Sequence, residues 1–210
     1  TIFQTSHDDD KPGLSVEEKE VLAIMDKEFC RDNSGQLVAP LPFREPRCKF
    51  PDNRQQALRR AIILDANLRK NPVKCGHAVT FMKRILDAEH AELAPPLKKD
   101  EEFWFLPIFS GYYPKKPDQV RMVFDSSAQC NGVSLNNVLL SGPDLTNSLL
   151  GVLLRFRLDN IGVMADIQQM CHCFKVREDH RNYLRFFWYL DNDPQKKLVE
   201  YRMCVHVFGN

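Results

Sequence analysis

The chain lacks several features at once, and each absence closes off a class of protein. No run reaches the roughly 18 consecutive apolar residues of a membrane-spanning helix, so no span is expected. The formal net charge is only +1, from 29 Lys and Arg against 28 Asp and Glu, so bulk charge points neither to nucleic acid nor to a membrane surface. There is no signal-peptide pattern and no Cys-x-x-Cys spacing. Seven cysteines, an odd number, fit reduced thiols in an intracellular setting, cytoplasmic or nuclear, better than a disulfide scaffold. No internal repeat is visible either.

What is present is a chain of 210 residues, 43% hydrophobic, enough for one large domain or two small ones around a real core. Its charge is uneven: residues 1–30 carry 8 acidic and 3 basic side chains, residues 41–121 carry 10 and 16. A basic middle behind an acidic lead suits a phosphate-facing surface, and ordinary solvated helices suit it as well. The chain opens on Thr1 and runs out through a strand-like segment, so both ends read as cut from something longer.

Residues 1–14 form an acidic, flexible lead, with Asp8-Asp9-Asp10 before Pro12-Gly13. Residues 15–100 are expected to be mostly helical and to pack only partly on the rest. Ser15 and Glu18 make a capping box for a helix whose apolar side is Val16, Leu22, Ile24 and Met25. Asn53 is a cap candidate for a second helix, and Pro72 suits the first position of a third, striped by Val79, Met82, Ile85 and Leu86. Arg54, Arg59, Arg60, Arg69 and Lys70 make the second helix basic, as a solvated face or a nucleic-acid contact.

From 101 onward strand patterns dominate. Residues 103–125 read as an antiparallel hairpin with a basic tip at Lys115 and Lys116. On its second strand Arg121 and Val123 share one face, and Val120, Met122 and Phe124 the other. Mobile Lys charge beside a rigid Arg fork can clamp phosphates. Gly142-Pro143-Asp144 is expected to open a helix whose stripe of Leu145, Leu149, Val152, Leu153 and Phe156 belongs in a core. Ile161 to Ile167 then reads as a buried strand presenting Asp166 at its rim, in one sheet with 198–208. A carboxylate there has to be solvated, paired or bound to a cation. The fold class is α+β, helices backing an antiparallel sheet.

Smaller clusters are read conservatively. Cys171-His172-Cys173 with Cys204 and His206 offers thiols and imidazoles, yet CxC and CxH lack the spacing of structural zinc sites. His180, beside Glu178 and Asp179, reads as a surface residue rather than a general base.

Several stretches together carry a resemblance: Tyr113-Pro114-Lys115-Lys116-Pro117, Arg121-Met122-Val123-Phe124-Asp125-Ser126-Ser127-Ala128, Gly132-Val133-Ser134-Leu135-Asn136, Gly142-Pro143-Asp144-Leu145, Ala165-Asp166-Ile167-Gln168-Gln169-Met170 and Tyr183-Leu184-Arg185-Phe186-Phe187-Trp188. Residues 101–210 resemble the fingers and early palm of a BEL/Pao-type retrotransposon reverse transcriptase, and 15–100 resemble the segment that precedes it. The resemblance implies a partial right-hand polymerase, a fragment of an RNA-directed DNA polymerase acting on an RNA or DNA template-primer with deoxynucleotides. It implies Asp166 as first catalytic carboxylate and Mg2+ ligand, and Lys115, Lys116 and Arg121 as phosphate contacts. Cys171 falls where the family usually has an aromatic that excludes a 2′-hydroxyl, and Asp125 at a structural position. The family's paired-aspartate turn does not occur in this sequence, so the metal site is incomplete without a downstream palm. The alternatives are a non-catalytic nucleic-acid-binding module and an inert relic.

Overall fold

A computed structural model describes residues 13–113, 116–158 and 160–207, with the side chains of 113–119 outside that description. The acidic lead up to residue 12, Lys115 and the side chain of Lys116 therefore lie outside the described residues.

The first helix, α1 (Val16–Glu28), begins at the expected capping box: Glu18 N–H donates to Ser15 Oγ at 3.2 Å, and Ser15 N–H to Glu18 Oε2 at 2.6 Å. Of its apolar residues Val21 alone is buried, whereas Val16 and Leu22 are exposed. Two short strands follow, β1 (Cys30–Arg31) and β2 (Leu37–Ala39), joined through a turn in which Gly35 takes a φ of 81°. The long helices are α2 (Arg54–Lys70) and α3 (Pro72–Asp87), and Asn71 caps the latter, accepting from Lys74 N–H at 3.0 Å. Asn53 does something other than cap. Its buried amide pairs with the Phe105 backbone in both directions, at 2.7 and 3.0 Å, and so pins the start of α2 to the second half of the chain.

Strand β3 (Ala91–Leu93) is followed by the hairpin β4 (Ile108–Tyr113) and β5 (Lys116–Phe124), which pair antiparallel from Ile108↔Phe124 onward. The hairpin is thus 108–124. Phe105 makes an isolated parallel bridge to Arg185 instead of joining β4. After the short α4 (Leu135–Val138) and α5 (Leu149–Phe156) come β6 (Phe174–Val176), β7 (Arg185–Tyr189) and β8 (Leu198–Met203). The described strands form three small sheets: β1-β2-β6, β3-β8-β7 and β4-β5. One pairing, β2 with β6, is parallel. The fold is mixed α+β.

Residues 13–100 do not pack only partly on the remainder. Strands β2 and β3 are zipped to β6 and β8, and one core joins Leu68 and Met82 to Trp104, Phe186 and Trp188. Phe105 stacks on Phe187 at 4.9 Å between centroids, nearly parallel, against Ala57 and Ala61 of α2.

Two expectations fail in neighbouring segments. The helix begins at Leu149, with Ser148 as its cap, rather than at Pro143, and none of its residues is buried. Asp144 accepts instead from the Thr146 backbone and hydroxyl, a local turn that holds the chain out of helix. Ile161 to Ile167 is not a strand and lies in no sheet with β8: Ile161, Val163 and Met164 are each more than four-fifths exposed. The reason is partnership. Its backbone meets no described strand edge, and it rests against α5, where the bare Gly162 lies so close to the Phe156 ring that a side chain would collide with it.

Candidate functional site

The hairpin presents Arg121 as the alternation predicts. Val120, Met122 and Phe124 turn into the core while Arg121, opposite Gly111, is exposed. Helix α3 packs on β5, and His77 on that helix contacts the Tyr112 hydroxyl of the neighbouring strand β4 at 3.2 Å. Asp125, just past β5, is paired with Arg60 at 3.0 Å. Other basic residues of α2 are similarly engaged, Arg54 with Glu200 and Arg69 with Asp65. That leaves less free positive charge on α2 than its sequence promises for nucleic acid.

Asp166 sits in the uncovered run, exposed to solvent. Among the described residues no group of three His, Cys, Asp or Glu side chains could hold a metal ion, so Asp166 has no assembled set of co-ligands there. A two-metal phosphoryl-transfer site needs more than one carboxylate. Cys171 is half-buried in a tight turn, Met170–Cys173, that follows Gln169 in the left-handed region at φ 54°.

The motif around Tyr183 to Trp188 proves to be architectural. Arg185, 1% exposed, is held by Glu200 at 2.9 Å, the Pro95 carbonyl at 2.5 Å and the Asn182 side-chain oxygen at 3.0 and 3.1 Å. Burial pulls its guanidinium below the ordinary value, with Glu200 opposing. Arg202 joins by donating to the same Asn182 oxygen at 3.4 Å and is paired with Glu92 at 2.7 Å. A second cluster sets Arg47 over the rings of Phe43, Phe50 and Tyr183, with Glu102 at 2.6 Å neutralising it. The Arg47 hydrogen bond holds the Glu102 carboxyl below the usual range.

His180 is not the surface residue its acidic neighbours suggest. Its side chain is 13% exposed, Nδ1 accepts from Leu41 N–H at 3.0 Å, and Nε2 lies 2.7 Å from Arg177. Burial first, then Arg177, lowers its pKa. His206 faces the Ala39 carbonyl at 3.2 Å. All seven cysteines are free. A residue that sequence reasoning passed over, His90, does meet His172 ring to ring. No spacing signal links positions so far apart.

No known protein family matches the chain, and no curated protein matches it. No helix among the described residues is long and apolar enough to cross a membrane.

Proposed function

We propose that this chain is the fingers and early palm of an RNA-directed DNA polymerase of the BEL/Pao retrotransposon type, working inside the cell, cytoplasmic or nuclear. The observation that carries the reading is the uncovered run from Ile161 to Ile167. It is apolar and exposed and bears Asp166, a surface that further chain could cover. Further palm strands would cover the run and supply the remaining carboxylates, and Asp166 would then share two Mg2+ ions with them. The hairpin supports the same reading, since Arg121 stands on the solvent face of β5, where a nucleotide phosphate can reach it. Lys115 and Lys116 belong to the same clamp by their place in the sequence. Cys171 replaces an aromatic with a much smaller group, so sugar discrimination is weak in this reading.

The test has two arms. Primer–template binding to the 210-residue chain is measured against salt, with and without Lys116→Ala and Arg121→Ala; each phosphate that is no longer neutralised lowers the logarithmic salt slope by about 0.7–0.9. Primer extension with Mg2+ is then compared between this chain and one continued through a paired-aspartate turn. Activity is expected in the longer chain alone and lost on Asp166→Asn. Extension by the 210-residue chain itself, or a longer chain indifferent to Asp166→Asn, refutes the assignment.

A further inference from the structure

His90 lies in the turn between α3 and β3, and His172 in the turn Met170–Cys173. Their rings meet edge to face, 4.9 Å between centroids at 61°. Nδ1 of each ring is closed off from solvent and has no hydrogen-bond partner. Both rings line one cavity of about 440 Å³, together with Glu89, Glu92, Cys173 and Cys204. A buried polar nitrogen without a partner is costly, so two on touching rings beside one cavity call for an explanation. Each ring keeps one nitrogen without a partner, so in its neutral form each can offer a lone pair there.

Neutral imidazole is the commonest protein metal ligand. Two rings bound to one tetrahedral ion through bonds of about 2.0–2.1 Å have centroids roughly 5 Å apart. The observed spacing fits that geometry. The cations nearby are already engaged, Lys175 with Asp32 at 2.8 Å and Arg181 with Glu92 and the Val176 carbonyl, so an incoming ion meets partly neutralised charge.

We propose that this cavity binds a borderline transition-metal ion, with zinc as the type, through Nδ1 of His90 and of His172. Cys173 turns in as a thiolate, releasing its proton to solvent, and water completes the tetrahedron. No three side chains are preset for this among the described residues, so the thiol has to move. Cys173 is free to do so: it is exposed, and its sulfur makes only a 3.8 Å contact with the Gln169 carbonyl. Cys204 is the poorer candidate, because it is packed in place and buried. The bound ion would clasp the turn after Asp166 to the α3–β3 corner. The proposal does not use Asp166 and holds whether or not the chain belongs to a polymerase.

Titration of the 210-residue chain with Co2+, followed by Zn2+ competition, tests this. One equivalent is expected to give tetrahedral visible bands and a thiolate charge-transfer band, which Zn2+ bleaches. His90→Gln and His172→Gln should each weaken binding at least tenfold, and Cys173→Ser should abolish the charge-transfer band while retaining part of the affinity. Melting of each metal-free variant separates a lost fold from a lost ligand, and the exposed Cys173→Ser reports on the site even where a histidine variant unfolds. Absence of the bands, or affinity unchanged in all three variants, overturns the proposal. The two nitrogens would then hold water only, and any residual binding would belong to adventitious carboxylates such as the Asp8–Asp10 run.

Discussion

Strand β7 (Arg185–Tyr189) and the run Ile161 to Ile167 are both short and largely apolar, and they have opposite fates. Every residue of β7 is buried: β8 supplies its ladder, Phe105 bridges its first residue, and α2 and α3 close over the aromatic rings. Every residue of 161–167 is exposed, behind a helix α5 that buries nothing of its own. Apolar composition sets a wish for cover; a neighbouring strand edge decides whether cover exists. Backbone N–H and C=O groups need partners as much as the side chains need burial, so the same composition gives a strand in one place and an unpaired run in the other.

The packed side of the comparison breaks most sharply at Arg185. Arg185→Ala removes the donors that satisfy Glu200, Asn182 and the Pro95 carbonyl together. Removing one partner of a buried ion pair costs about 3–5 kcal/mol, and that loss is expected in equilibrium urea unfolding. An unchanged midpoint would mean that the cluster is solvated in solution and that β7 owes its burial to the rings alone.

Local signals were legible in the sequence and distant partnerships were not. The Ser15–Glu18 box, Pro72 at the start of α3 and the alternation along β5 are each decided within a few residues, and they stand. The parallel pairing of β2 with β6, the Asn53 clasp on Phe105 and the Arg185 cluster join positions far apart, which periodicity cannot register. Pro143 misled because an Asp144–Thr146 turn competes locally with a helix start. Of the candidate site, Arg121 was legible through its strand face, and the exposure of Asp166 was not, since burial of its run depends on a partner strand.

A smaller effect on the packed side comes from pH. Burial holds His180 below its ordinary 6.5, so the folded state resists a proton that the unfolded state accepts. Above pH 6.5 both forms are neutral and the residue is silent. Below it the unfolded chain binds more protons, and stability falls until pH has passed the folded value. Urea midpoints at about pH 7.5, 6.5 and 5.5 should therefore decline over the second interval more than the first. His180→Gln should flatten that decline; equal slopes in both proteins would show that His180 titrates alike folded and unfolded.

The smallest effect belongs to the uncovered side and is expected to be close to nothing. Leu149 opens α5 and is 74% exposed, whereas Leu184 is 0% exposed at the threshold of β7. The same change of leucine to alanine should therefore divide the two regions. Leu184→Ala is expected to cost about 2–5 kcal/mol, from lost transfer free energy plus the cavity left behind. Leu149→Ala removes no packed methyl groups and slightly favours helix, so its effect on the unfolding midpoint should stay within about 0.5 kcal/mol. At eight residues α5 is also shorter than a helix that stands on propensity alone, so its amides should exchange far faster than those of β7 and β8. A loss above about 1 kcal/mol for Leu149→Ala, or slow exchange along α5, would mean that this helix is covered in solution. Repeating both measurements over a range of protein concentrations then separates cover by a second copy, which fades on dilution, from cover within the chain, which does not.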